Sequence, residues 1–203
     1  MLCNIEEDKP DILVIGLQEI FEMKGKNFTK FMTSDEFKGD GWKELFNQAV
    51  NNYGSYTMVE EKTMVGIYCV IFVKPEILKK MKRINFKEIK LGVSIGGMMQ
   101  VGNKGSLVVE FSLDSSVFQF AVSHYAAGQK LPNNQQRISM MKTVIEKSLN
   151  NPDHYRFIIG DLNFRLSLGF DEVMHFLQRF QKFDDLKEKE KAQKILDQML
   201  TSD

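Results

Sequence analysis

Phe157-Ile158-Ile159-Gly160-Asp161-Leu162-Asn163-Phe164-Arg165 carries the reading of this chain. A short β-branched apolar run is bounded by Asn150-Asn151-Pro152-Asp153 before it and Gly160 after it, which predicts a buried strand. The strand ends on an acid, an amide and a cation, where α/β folds place chemistry. Alternation from Asp161 would send Asp161 and Asn163 to one side and Leu162 and Phe164 to the other. A carboxylate able to take a proton from water, beside an amide able to hold that water or an oxyanion, makes a hydrolytic pair. The plainer reading is an Asp-Asn turn closing a strand, and this segment alone favours it, because Gly, Asp and Asn are common turn residues.

Outward from that stretch, Asp11 to Leu17 reads as a second buried strand, ending at Gln18-Glu19. Trp42, Leu45, Phe46, Ala49 and Val50 fall at helical spacing behind a stretch from Ser34 to Gly41 rich in turn and capping residues. Ser55 to Glu60, Met64 to Val73, Leu91 to Ile95, Gly105 to Leu113 and Val117 to Ser123 follow as strands of an antiparallel or mixed sheet. Ile138, Met141, Val144, Ile145 and Leu149 mark a helix leading back to the Phe157 strand. Two more helices are read at 170–180 and from Lys187 onward, the last with Ile195, Leu196, Met199 and Leu200 as its apolar stripe. Between strands lies a basic run, Lys79-Lys80-Met81-Lys82-Arg83, with Lys87 and Lys90 beyond it. It reads as a solvated surface, with contact to anionic lipid headgroups as the minority reading.

The chain has 203 residues, 43% of them hydrophobic, which suits a single domain with a sizeable core. Lys plus Arg and Asp plus Glu balance at 27 each, so no global field argues for nucleic acid and any anionic ligand must be held locally. Cys3 and Cys69 are far apart and lack metal-ligand spacing, which points to a reducing, cytoplasmic compartment. No apolar run reaches bilayer-spanning length.

Three strand endings share one chemistry: Leu17-Gln18-Glu19, Val122-Ser123-His124 and Gly160-Asp161-Leu162-Asn163. A lone Glu reads as surface and a lone His as a structural residue, but three such endings on one rim would bring together a hard carboxylate ligand, an imidazole and a base. Hard oxygen ligands suit Mg²⁺, and the lack of clustered Cys and His argues against zinc. Val101-Gly102-Asn103-Lys104-Gly105 lets backbone approach an anion while Lys104 adds charge, although by spacing alone it reads first as a hairpin turn between the Leu91 and Leu107 strands.

In this order the motifs resemble the Mg²⁺-dependent inositol polyphosphate 5-phosphatases of the endonuclease/exonuclease/phosphatase fold. The matching stretches are Pro10 to Glu19, Gly102 to Gly105, Ser123-His124-Tyr125-Ala126-Ala127-Gly128 and Gly160 to Arg165, with Tyr125 and Phe164 standing where the family more often has Leu and Tyr. The resemblance implies an α/β fold: a two-sheet sandwich flanked by helices, the four-layer αββα arrangement of deoxyribonuclease I. It implies one partial domain over 1–203, with further strands supplied by the rest of a larger protein, or else a reduced member without activity. By the same resemblance Glu19 would ligate Mg²⁺. Asp161 would deprotonate the attacking water, Asn163 would hold water or phosphate, and His124 would donate to a phosphate oxygen. Asn103 and Lys104 would contact substrate phosphates, with Arg165 supporting the edge. The expected substrate is a phosphoinositide lipid or a soluble inositol phosphate, acted on in the cytoplasm with peripheral membrane contact. An endonuclease of the same fold, or an inositol-phosphate-binding fragment without turnover, are the alternatives.

Overall fold

The computed structural model describes residues 5–20, 40–64, 66–95, 99–101, 104–165, 169, 171 and 174. The helices read at 170–180 and beyond Lys187 lie outside these residues, apart from Asp171 and Met174, which are helical. The chain divides into two compact units, Met1–Asn163 and Phe164–Asp203.

The first unit is built on two sheets. Strands β1 (Ile12–Leu17), β2 (Thr57–Met64) and β3 (Ile67–Val73) form one, in the order β1-β3-β2. Strands β4 (Met81–Lys90), β7 (Gly105–Leu113), β8 (Ser116–His124) and β9 (Tyr155–Asp161) form the other, in the order β4-β7-β8-β9. A small hairpin of β5 (Val93–Ile95) and β6 (Met99–Val101) projects between β4 and β7. Among the described residues of this unit the helices are α1 (Ile5–Asp8), α2 (Asp40–Asn51), α3 (Pro75–Leu78) and α4 (Leu131–Ser148).

Alternation along the strands sorts their apolar residues into three layers of core. Ile71, Val73, Leu107, Val109, Phe111 and Val122 fill the space between the sheets. Phe46 and Val50 of α2 cover the far face of the first sheet at Tyr68, Val70 and Phe72. Met140 and Val144 of α4 cover the far face of the second at Val108 and Ala121. The order helix, sheet, sheet, helix is the four-layer αββα arrangement expected. β3 is central in its sheet and fully buried, as its unbroken run Ile67 to Val73 requires.

Three local readings change. The apolar run from Met64 holds a turn: Met64 closes β2 and β3 starts at Ile67, so the preceding strand is longer than Ser55 to Glu60. The basic run enters a strand the sequence concealed, because β4 is an edge strand that buries Met81 and Ile89 while Lys82, Arg83, Lys87 and Lys90 face water. β4, and not the Leu91 strand, therefore pairs with β7, from Lys90 opposite Gly105 to Met81 opposite Leu113. On α4 the buried residues are Arg137, Met140 and Val144, leaving Ile138 and Ile145 exposed. α4 is the crossover that lets β9 run parallel to β8, with Ser123 opposite Gly160 and His124 opposite Asp161.

Candidate active site

Register places the site. His124 ends β8 with Asp161 beside it on β9 and Gly105 beside it on β7, so Lys104, His124 and Asp161 stand in a row across three adjacent strands. Glu19 arrives from the other sheet. β1 passes β8 so closely that a Cβ on Gly16 would stand 2.5 Å from a Val122 methyl, and this approach carries the end of β1 to His124. Glu19 itself has φ 55°, a left-handed conformation that is uncommon for Glu and concentrates at functional sites. The hydrogen bond from the Ile20 N–H to Gly66 O, 3.3 Å, ties the segment beyond it to the β2–β3 turn.

His124 is 1% exposed, yet its Nε2 lies 3.6 Å from Glu19 Oε1 and 3.7 Å from Asp161 Oδ2. The Lys104 ammonium contacts the same nitrogen. An ammonium has only donors, so Nε2 acts as acceptor and the ring proton sits on Nδ1. Burial pushes the Lys104 pKa down, opposed by the carboxylates of Glu19 and Asp161. Both carboxylates are open to solvent, 68% and 51% exposed.

Asp161 and Asn163 come together, though not by strand alternation. The strand stops at Asp161, and Asn163 turns left-handed at φ 56°, a conformation asparagine tolerates. Its N–H donates to Asp161 Oδ1 at 3.0 Å, closing an Asx turn, and its Nδ2 donates to Asp161 Oδ2 at 3.0 Å. The turn reading and the hydrolytic reading are thus one structure. Gly160 has φ 116°, and a Cβ there would lie 2.2 Å from Ser123 O, so only glycine allows the turn to sit so close to β8.

Two supports went unread in the sequence. Tyr125, weighed only as bulk, clasps the turn through its backbone: its N–H donates to Asp161 O at 3.0 Å and its carbonyl accepts from Asn163 Nδ2 at 3.2 Å. Arg137, 1% exposed, donates from Nη1 to Ala126 O at 3.1 Å and Gly128 O at 2.9 Å, fixing the loop that follows His124. An arginine among helix polar residues reads as surface, so periodicity held no signal for it. Of the expected site residues, Glu19, Lys104, His124, Asp161 and Asn163 converge. Asn103 lies outside the described residues, and Arg165 belongs to the second unit.

The donor set suits a hard, water-rich cation. Among the described residues no group of three or more His, Cys, Asp or Glu forms a closed metal cage. Glu19 instead offers an open carboxylate, as Mg²⁺ accepts when water and phosphate complete its shell.

The model of endonuclease/exonuclease/phosphatase family 2 matches residues 2–201. The chain belongs to this family. Among curated relatives of this family member, synaptojanin-2 of Rattus norvegicus is 29% identical over 194 residues, which cover 91% of this chain and 12% of that protein. A polyphosphatidylinositol phosphatase of Saccharomyces cerevisiae is 30% identical over 175 residues, covering 83% of this chain and 15% of that one. The chain thus spans only a small part of the length of these relatives. The solved inositol polyphosphate 5-phosphatase domain of spsynaptojanin, in complex with inositol (1,4)-bisphosphate and calcium ion, has the same fold. Its TM-score is 0.60 at 24% identity, covering 85% of this chain and 49% of that one.

Proposed function

We propose that this family member is a phosphoric monoester hydrolase that removes the 5-phosphate from phosphoinositides or soluble inositol polyphosphates. The observation that carries the proposal is the convergence of Glu19, Asp161 and Lys104 on His124 Nε2. The named relatives and the inositol bisphosphate bound to the solved domain support the substrate class.

Glu19 would hold Mg²⁺, which when bound supplies charge neutralisation to phosphate oxygens. Asp161, its two oxygens fixed by Asn163, accepts a proton from the attacking water. Lys104 binds phosphate as a positive charge already desolvated at the site. When a phosphate oxygen takes the place of Lys104 at Nε2, the other ring tautomer, with its proton on Nε2, lets His124 donate to it. Most of the catalysis would come from such positioning and charge compensation. By resemblance Asn103 is assigned to substrate phosphates and Arg165 to support at the edge.

The reaction is placed in the cytoplasm with peripheral membrane contact. Sedimentation with anionic vesicles and cell fractionation test that placement. The chemistry is tested by phosphate release from 5-phosphorylated inositols with Mg²⁺ and with chelator, comparing the chain with Glu19→Gln and Asp161→Ala. Release that needs Mg²⁺ and both carboxylates supports the proposal. DNA cleavage without such release would make it a nuclease. Binding without turnover would make it a recognition module.

A further inference from the structure

Gln18 stands between Leu17, the last residue of β1, and Glu19, and no step of the proposed reaction uses it. Two residues on from Gly16, it continues the face of β1 that meets the second sheet. Its side chain crosses to the seam between β8 and β9. A Cβ on Gly160 would lie 2.8 Å from Gln18 Nε2 and 2.2 Å from Ser123 O, so Gln18, Gly160 and Ser123 meet where the glycine leaves room.

Each of these three residues immediately precedes one of the rim: Glu19 follows Gln18, Asp161 follows Gly160 and His124 follows Ser123. The lower trio joins the ends of three strands from two sheets, and directly above it Glu19 Oε1 and Asp161 Oδ2 stand 3.6 Å and 3.7 Å from His124 Nε2. Register alone sets Asp161 beside His124, because β9 pairs with β8. Glu19 has no register with either, since β1 pairs with β3 in the other sheet. Its carboxylate is exposed, so its place must come from the residues that lead to it. Gln18 Nε2 is buried and makes no hydrogen bond, so this amide is held at the seam by fit, and fit depends on the length of the side chain.

We propose that Gln18 is a positioning residue: the fit of its side chain against Gly160 and Ser123 sets the distance from Glu19 to Asp161 and His124. A shorter side chain at 18 lets the end of β1 shift relative to the seam, so that the expected metal ligand drifts from the base while no contact to substrate is lost. The inference rests on the proposed reaction for the roles of Glu19 and Asp161.

Phosphate release and titration with Mn²⁺, both on the full chain, test it. Gln18→Ala should lower kcat on the order of a hundredfold with KM changed less than about twofold, and should weaken Mn²⁺ binding about tenfold. Gln18→Asn, shorter by one methylene, serves the same comparison if Gln18→Ala does not fold. Gln18→Met keeps the length without the amide and should recover most of both losses. Its unfolding midpoint should be no lower than that of the unsubstituted chain, because the change removes a buried donor that has no partner. In a Glu19→Gln background Gln18→Ala should cost less than about twofold in kcat, since residues that act through one ligand are not additive. Full additivity in that background, equal losses from Ala and Met, a loss confined to KM, or no effect of Gln18→Ala each overturns the proposal. A chain that releases no phosphate yet binds Mn²⁺, more weakly with Gln18→Ala than with Gln18→Met, upholds the placement of Glu19 and defeats the phosphatase reading instead. A chain with neither turnover nor saturable Mn²⁺ binding overturns both.

Discussion

Asn163 donates to both carboxylate oxygens of Asp161, from its backbone N–H to Oδ1 and from its side chain to Oδ2, each at 3.0 Å. The acid proposed as base is thereby held with its oxygens directed and its charge stabilised. Replacing Asp161 by Ala should reduce phosphate release about a thousandfold. Asn163→Ala keeps the backbone bond of the turn and should cost about a hundredfold in kcat with little change in KM. Steady-state rates at saturating substrate check both, and a KM effect alone for Asn163→Ala would move that residue from the water to substrate binding.

Gly160 faces two barriers to any side chain, its φ of 116° and the 2.2 Å that would separate a Cβ from Ser123 O. Gly160→Ala must then push β9 away from β8, and a loss of about 3 kcal/mol in denaturant unfolding is expected. A loss below about 1 kcal/mol would show that the β8–β9 register gives way easily.

Burial favours the neutral amine of Lys104, so its proton leaves below the ordinary lysine value of 10.5. The ammonium needed for phosphate is complete at lower pH, and activity should fall along an alkaline limb that begins before 10.5. Lys104→Arg should move that limb to higher pH in a pH–rate profile. The sign for stability is opposite. Between the lowered value and 10.5 the unfolded chain binds more protons than the folded one, so this residue's contribution to stability rises with pH across that window.

Arg137 carries a buried charge whose Nη1 serves two loop carbonyls. Arg137→Ala should leave Ala126 O and Gly128 O without that donor and lower stability by about 3 kcal/mol. Arg137→Lys should restore part of the stability and less of the kcat, since one ammonium cannot reproduce the planar fork that fixes the loop behind His124. Equal recovery of both would mean that the loop needs charge but not geometry.

Burial pushes the Cys69 thiol up to about 12 from 9.0. In a Cys3→Ser background the folded protein should resist alkylation at pH 8 and react once unfolded. The neutral thiol is favoured by the fold, so its contribution is present below pH 9 and is lost as pH rises from 9 toward 12.

Much of the αββα plan was legible because its strands are apolar runs bounded by turn residues; Glu19, His124, Asp161 and Asn163 stand where such runs stop and Lys104 stands just before one begins. β4 was not legible, because an edge strand satisfied on one side can carry lysines that read as loop. The face of α4 was read in part, since Val144 and Leu149 are buried and Met141 packs beside them while Ile138 and Ile145 are exposed; Arg137 was missed because it is buried against carbonyls that appear only after the loop from Tyr125 folds over it.

The sequence by itself determined which side chains end the strands, since burial demands apolar runs and the first polar residue past each run must lie at the rim. It also determined that Asp161 and Asn163 share a turn, because that bond spans only two residues. Only the tertiary structure decided that Glu19, from the other sheet, meets Lys104, His124 and Asp161. That meeting depends on register across β7, β8 and β9 and on the close passage of β1 at Gly16, which packs against Val122, 106 residues away along the chain.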